Sequence, residues 1–493
     1  MWTRDRLEEV VRTKMSDYHM VVVSNRQPYS HIRKAGKLIC QRQPGGLVTA
    51  LNPVMTAVGG TWVATGASPE DKAVLNEEHK VQVPHEGDRY DLKRIFISKA
   101  DADAYYYGYC NEGLWPLSHV TYTRPYFSFF DWEAYQRVNR NFAEQILEEV
   151  RGRKAFIWVQ DFHLALVAKY LKEMGAANIV TSLFWHIPWP NPEVFRICPQ
   201  KKEILEGLLA YDLLGFQIRY HEDHFLGAVD RELEARIDRE KTAVSYQGHE
   251  TFVRSFPISV DFESINTEAE SPRCLEAIQR LKDEYGLVDK KILISVDRID
   301  YTKGIPDKLR ALDRFLEKYP EYQGKVVFFQ LGQISRIHIP SYKQINDEIN
   351  DLVNKINWKY STETWAPVTL TRTYMSYEDI LAMYRMADAC VVGSLHDGMN
   401  LVAKEFVAAR SDLQGSLILS QFTGAARELT DAFLVNPYDT EAFADTIQSA
   451  LSSPDKELER RMKKMRDIVS SNNIFRWAGK VMSQLLKFEF QDS

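Results

Sequence analysis

The chain has 493 residues, more than one ordinary hydrophobic core accommodates, which predicts two large domains or three smaller ones. A hydrophobic content of 45% with 26% charged residues is that of a globular protein, and a net charge of −6 leaves no basic surplus to displace counterions from a nucleic-acid backbone. The five scattered cysteines (Cys40, Cys110, Cys198, Cys274, Cys390) form no CxxC pair, which excludes a disulfide framework and points to reduced thiols in a cytoplasmic protein.

At the N-terminus, MWTRDRLEEVVRTKM mixes charge with Leu7, Val10, Val11 and Met15. It lacks the apolar core of a signal peptide and predicts a short amphipathic helix lying on the first domain. No later run reaches the length of a membrane span. Strands are predicted at MVVVSN (20–25), AFIWVQ (155–160), IVTSLFWH (179–186) and LLGFQ (213–217). Others follow at KILISVD (291–297), KVVFFQL (325–331), PVTLTRT (367–373), ACVVGS (389–394) and GSLILSQ (415–421). Unbroken Val, Ile and Phe runs suit strands buried on both faces. Amphipathic segments 132–151 and 339–357 read as crossover helices between them. The alternation predicts an α/β protein with two Rossmann-like, doubly wound parallel sheets. RSFPISVDFESINTEAESPR (254–273) has a proline, an acidic polar stretch and no period. It places the boundary near 260, giving domains 1–260 and 261–475 and a final segment 476–493.

In such sheets ligands sit at the carboxyl ends of the strands, and polar residues gather there along this chain. SNRQPY puts Arg26 after the first strand, and GGL (45–47), with Gly46, opens the next helix, so together they offer an anion seat. TWVATG and YYYGYCNEGLWP supply Trp62, Tyr106 and Trp115. VQDFHL ends a strand with Asp161, and FWHIPWPNPEVF ends the next with His186. A lone histidine is commonly a buried one bonded to backbone, yet the aromatic and proline residues around this one also suit a wall against a sugar. DRIDYTKGIPDK sets Arg298 and Lys303 five apart before a helix. That spacing fits either a solvated loop or a seat for a diphosphate, which needs several positive donors. QISR places Arg336 after a second-domain strand. SLHDGMNLVAKEF brackets a turn with Asp397 and Glu405. The bland reading is a capped helix. The alternative has Glu405 accepting from ribose hydroxyls, the N–H groups of Gly398, Met399, Asn400 and Leu401 facing phosphate, and Asp397 holding a neutral polyol.

From about residue 19 to 485 these motifs, in this order, resemble the retaining trehalose-6-phosphate synthases of glycosyltransferase family 20. The resemblance rests on VVVSNR, GGLVTAL, YYYGYCNEGLWPL, WVQDFHL, HIPWPNPEVFR, SVDRIDYTKGIP, DGMNLVAKEFVAA and LILSQFTGAA. It implies the GT-B fold, two Rossmann-like domains facing each other across a cleft, with the C-terminal helix crossing back to the first. It implies transfer of glucose from a nucleotide donor (UDP-glucose first, GDP- or ADP-glucose as alternatives) to glucose 6-phosphate. On that likeness Arg298 and Lys303 hold the donor diphosphate, Glu405 its ribose, and Asp397 and His186 its glucose, with Gly46 and the Gly398–Leu401 bend on the donor side. Asp161 lies near the reacting hydroxyls, Arg26, Tyr106 and Arg336 grip the acceptor phosphate, and Trp62 and Trp115 wall the acceptor sugar.

No metal or cofactor is expected, since two cations already face the diphosphate. DAD (101–103) and HEDH (221–224) mimic metal ligands, but the first suits a helix start and the second lacks further ligands. Where the family has Arg before DGMN this chain has His396, either a pH-sensitive group or a packing change. RQPYSHIRKAGK (26–37) also resembles glucosylglycerol-phosphate synthases, whose acceptor is glycerol 3-phosphate, while Arg336 favours the trehalose branch. A non-catalytic sugar-phosphate sensor is the rival from another class, and monomer and homo-oligomer are both left open.

Overall fold

β-Branched and aromatic side chains fill a pleated surface buried on both faces, which is why the Val-, Ile- and Phe-rich runs become inner strands. The computed structural model describes residues 2–43, 45–373 and 375–488, and in it these runs lie within two sheets. The chain divides into two compact units, Met1–Ile258 with Ile474–Ser493, and Ser259–Asn473.

The first unit holds a ten-stranded sheet. Its order is Arg236–Asp238, Ala243–Tyr246, His249–Ser255, Leu213–Phe216, Ile179–Trp185, Ala155–Gln160, His19–Arg26, Thr61–Thr65, Tyr90–Ile95 and Lys80–Val83. From His249–Ser255 to Tyr90–Ile95 every neighbour is parallel. Antiparallel strands close both edges, and Tyr29–Lys34 pairs with Lys37–Arg42 in a separate hairpin. The expected strand 155–160 is Ala155–Gln160, and the expected helix 132–151 is Phe129–Val150.

Two terminal helices pack on this unit. In Arg4–Lys14, capped by the Thr3 hydroxyl on the Arg6 N–H, Leu7 is buried, and the helix lies against Gly46–Val58 and Ile474–Leu485. The helix Ile474–Leu485 buries Ile474, Phe475, Trp477, Val481 and Met482. Trp477 packs on Trp158 at 4.9 Å and Phe184 at 5.1 Å, and its indole N–H donates to the Phe256 carbonyl at 3.1 Å.

The second unit holds six strands, all parallel, in the order Val368–Thr371, Val326–Gln333, Lys291–Arg298, Ala389–Val392, Ser416–Ser420 and Phe433–Val435. Chain order therefore reverses between Lys291–Arg298 and Ala389–Val392, the crevice where doubly wound sheets place ligands. The helix Ile305–Lys318 sets Leu309, Leu312, Phe315 and Leu316 into one core with Leu293, Phe328 and Val391. Among the described residues no helix is long and apolar enough to cross a membrane, and the five cysteines are free.

Trp477→Ala removes the largest anchor of the C-terminal helix, a change that costs about 3–5 kcal/mol for a buried Trp. Denaturant melts are expected to show that loss, and an unchanged midpoint would mean the helix contributes little to the first unit.

Candidate functional site

The strand Lys291–Arg298 brings Arg298 to its carboxyl end, and the 3-10 turn Tyr301–Lys303 follows. Asp300 caps that turn, its carboxylate accepting the Thr302 N–H at 3.0 Å and the Thr302 hydroxyl at 2.9 Å. Gly304 takes φ +59, and a Cβ there would lie 2.2 Å from the Gly393 carbonyl oxygen, so only glycine lets this loop approach the neighbouring strand end. Lys303 then meets Asp397 across that gap, Nζ to Oδ2 at 2.6 Å.

On the other side Asn400, at φ +92, caps the helix Leu401–Ala409. Its side-chain oxygen accepts the Ala403 N–H at 3.1 Å while its amide donates to Asp397 at 3.1 Å. The bend from Gly398 to Leu401 is braced from behind. The Ala425 N–H donates to the Met399 carbonyl at 2.9 Å, and Gly424 approaches so closely that a Cβ would fall 2.0 Å from the Gly398 oxygen. Glu405, inside the helix and partly buried, accepts the Tyr384 hydroxyl at 3.3 Å.

Arg336 joins the same group of charges. It sits at φ +50 beyond the strand Val326–Gln333, donates to the Tyr342 hydroxyl at 2.6 Å and lies 3.5 Å from Asp300. Burial works to raise the Asp300 pKa, yet Arg336, and after it Arg298, hold that carboxyl below the usual range. Three cations and a helix N-terminus thus follow the ends of three neighbouring parallel strands, with Asp397 as a half-buried carboxylate among them. Such an arrangement seats phosphate groups.

The first unit assembles a different set. Asp161 follows Ala155–Gln160 at φ +75, a strained conformation for a non-glycine residue, and its carboxylate accepts the His186 N–H at 3.1 Å. The ring of His186 is held by Gln160 at 2.9 Å from Nε2 and by Gln217 at 3.4 Å from Nδ1, and packs on Phe184. Burial pushes its pKa down to about 3, so the ring is neutral at ordinary pH. Arg26 ends the first strand with its guanidinium 3.8 Å from the Cβ position of Gly45, beside the start of Gly46–Val58. Tyr106 is carried by a π-helix, Asp103–Leu114, and stacks on His163 at 5.7 Å. π-Helical turns are rare and concentrate at functional sites. Trp115 is buried against His119 and Phe162.

Trp62 departs from the sugar wall expected of it. Its side chain is 0% exposed, its indole N–H donates to Ser24 at 2.8 Å and its ring stacks on Tyr90, so it belongs to the core beneath the strand ends. The metal-like runs also have other partners: Asp101 accepts from Ser98 at 2.9 Å and pairs with Arg137, while His221 and Glu222 are buried. Among the described residues no group of three or more His, Cys, Asp and Glu side chains could hold a metal ion.

Several polar residues behind the site went unread in the sequence. Lys308 is buried and donates to Ser295 at 2.7 Å and Asp297 at 2.5 Å, directly before Arg298. Lys404, also buried, pairs with Glu428 at 2.6 Å and ties the helix Leu401–Ala409 to the segment that braces Gly398. Both lie in or beside quoted motifs, but a lysine in a helix reads as surface unless its buried partner is known.

The sequence matches glycosyltransferase family 20 over residues 18–487. An α,α-trehalose-phosphate synthase (UDP-forming) of Candida albicans is 34% identical over 481 residues, 96% of this chain and 98% of that protein. A trehalose-6-phosphate synthase of Mycobacterium leprae is 36% identical over 487 residues, 97% of each chain. Among solved structures, an α,α-trehalose-phosphate synthase (UDP-forming) from Burkholderia xenovorans in complex with glucose-6-phosphate gives a TM-score of 0.85 at 29% identity, covering 95% of this chain and 100% of that one. An E. coli trehalose-6-phosphate structure bound with UDP-2-fluoro glucose gives 0.84 at 31% identity, covering 96% and 99%. Matched along nearly its whole length and built from two Rossmann-like domains of the GT-B class, this chain belongs to glycosyltransferase family 20.

Proposed function

We propose that the chain is an α,α-trehalose-phosphate synthase, transferring glucose from UDP-glucose to glucose 6-phosphate with retention at the anomeric carbon. The observation that carries this reading is the Arg298, Lys303, Asp397 and Glu405 constellation at the switch point of the second sheet. The UDP-forming relatives and the neighbours bound to glucose-6-phosphate and UDP-2-fluoro glucose support the choice of both substrates. The free cysteines support a reducing, cytoplasmic setting.

In this reading Arg298, Lys303 and the Gly398–Leu401 bend take the donor diphosphate, Glu405 the ribose, and Asp397 with neutral His186 the glucose. Gly46 lies on the donor side, and Asp161 faces the reacting hydroxyls. Arg26, Tyr106 and Arg336 take the acceptor phosphate, with Trp115 beside the acceptor sugar. Retention commonly uses a carboxylate nucleophile. Asp161 and Asp397 have other duties here, so we assign a front-face substitution. The bond from the anomeric carbon to the β-phosphate oxygen breaks, an oxocarbenium-like sugar forms, and the acceptor 1-hydroxyl attacks from the leaving-group side. Its proton passes to the departing phosphate oxygen, giving UDP and α,α-trehalose 6-phosphate. Fixed cations stabilise the charge growing on the diphosphate without a metal.

A nucleotide-release assay crossing UDP-, GDP- and ADP-glucose with glucose 6-phosphate and glycerol 3-phosphate tests the reading. UDP release with glucose 6-phosphate is expected. Turnover with glycerol 3-phosphate alone would move the chain to the glucosylglycerol-phosphate branch, and binding of glucose 6-phosphate with no release from any donor would make it a sensor. Arg298→Ala is expected to lower kcat by about 10²–10³, the usual loss for one electrostatic donor, with a smaller change in donor KM. Weaker donor binding at unchanged kcat would contradict the role in the leaving step.

His186 also gives a pH signature. Between the unfolded histidine value near 6.5 and the folded value of about 3, the unfolded chain binds one proton more. Stability therefore falls as pH drops through that window, by at most about 1.4 kcal/mol per pH unit, and gains nothing from this group above it. Between about pH 7 and about pH 5 the denaturant midpoint is expected to fall more for the wild type than for His186→Gln. Parallel pH dependences would refute a ring held neutral by burial.

A further inference from the structure

We propose that Asp300, acting through Tyr342, is a positioning residue that ties the donor diphosphate loop to Arg336, so that one buried carboxylate sets the cations for both substrates' phosphates. The inference rests on the reading of Arg336 as an acceptor-phosphate ligand and goes beyond it.

Asp300 and Tyr342 are each 1% exposed, so neither reaches a substrate directly. The two oxygens of Asp300 have different work. Oδ1 accepts the Thr302 N–H and hydroxyl at 3.0 and 2.9 Å, which shapes the turn that carries Lys303. A helix cap needs no more than that. Oδ2 accepts the Tyr342 hydroxyl at 3.1 Å and lies 3.5 Å from Arg336. The same Tyr342 hydroxyl accepts from Arg336 NH1 at 2.6 Å, and the guanidinium lies over the Tyr342 ring at 5.4 Å. Tyr342 in turn packs edge-on against Tyr301, inside the turn, at 5.3 Å. A continuous polar path therefore runs from Arg336 through Tyr342 to Asp300 and into the Tyr301–Lys303 turn. Arg298 and Lys303 are close enough for their charges to be felt at Asp300.

Arg336 needs this support. It holds φ +50, outside the conformations a long side chain prefers, at the end of a strand with no helix to fix it until Pro340. Two of its neighbours, the Tyr342 hydroxyl and the Asp300 carboxylate, select one orientation of the guanidinium. A phosphate ligand held in one orientation loses less rotamer freedom on binding its anion. Loss of the hydroxyl alone should therefore weaken the acceptor and spare the donor.

The test is steady-state kinetics on the full chain, each substrate varied with the other saturating. Tyr342→Phe is expected to raise KM for glucose 6-phosphate about tenfold, the scale of one hydrogen bond to a charged group, with KM for UDP-glucose within about twofold. Asp300→Asn is expected to raise the acceptor KM and also lower kcat, because the turn carrying Lys303 loosens with it. Arg336→Ala separates the two levels of the argument. If it leaves the acceptor KM unchanged, the acceptor reading of Arg336 fails and this inference with it. If it raises that KM while Tyr342→Phe does not, or while Tyr342→Phe shifts both KM values alike, the positioning role alone is overturned. Should Asp300→Asn not fold, Tyr342→Phe decides.

Discussion

The ion pair between Lys303 and Asp397, 2.6 Å long, joins loops that leave two neighbouring parallel strands, and the site depends on why those strands are neighbours. Lys291–Arg298 and Ala389–Val392 are almost a hundred residues apart in sequence, yet they flank the point where strand order reverses. Parallel pairing makes both strands end on the same side, and reversal sends their following helices to opposite faces. A crevice opens between the two loops, with Arg298 and Lys303 on one lip and Asp397, the Gly398–Leu401 bend and Glu405 on the other. Gly304 lets the lips close to contact distance, because its missing side chain leaves room for the Gly393 carbonyl.

Inner strands such as AFIWVQ and KVVFFQL were legible because burial on both faces demands an unbroken apolar run, whereas Thr61–Thr65, Ala243–Tyr246 and His249–Ser255, also inner, went unread. The exceptions have physical reasons. Tyr90–Ile95 is an inner strand, but its Lys93 and Arg94 are buried against Glu148 and Asp71, and pairing of that kind leaves no trace in a hydropathy pattern. Lys80–Val83 and Arg236–Asp238 lie at edges, where a short strand with polar residues suffices. Asp161, His186 and Arg298 end or directly follow strands, a placement legible from the apolar runs before them. Trp62 was misread because an aromatic residue near a strand end looks the same in sequence whether its ring faces a ligand or the core. The strand Thr61–Thr65 is buried on both faces, so the ring enters the core, where Ser24 accepts its N–H.

Strain and neutrality mark the strand ends of the first unit. Asp161 is held at φ +75 by the Phe184 carbonyl, which accepts its N–H at 2.7 Å, and by the His186 N–H on its carboxylate. Such a conformation costs about 1–3 kcal/mol and persists only where surrounding bonds over-determine it. His186 is fixed from both ring nitrogens by glutamines and stays uncharged. In the proposed reaction a protonated ring there would set a cation near the sugar and oppose an oxocarbenium-like state. The glutamines avoid this, since an amide can satisfy an imidazole without raising its pKa as a carboxylate would.

Three buried ion pairs stand behind the cations of the second unit: Lys308 with Asp297, Lys404 with Glu428, and Arg336 with Asp300. Their contribution to stability is small, since desolvation offsets most of the attraction, although removing one partner alone typically costs about 3–5 kcal/mol. Apolar side chains of similar volume would hold the fold as well. They would not fix direction. Each pair sits one step from a residue proposed to face substrate: Asp297 precedes Arg298, Lys404 precedes Glu405, and Asp300 caps the turn of Lys303. A transition state that differs from its ground state mainly in where negative charge lies is stabilised only by dipoles and cations already aimed at it. Charged groups set deep in the unit and paired there hold that aim without reorganising as the charge develops.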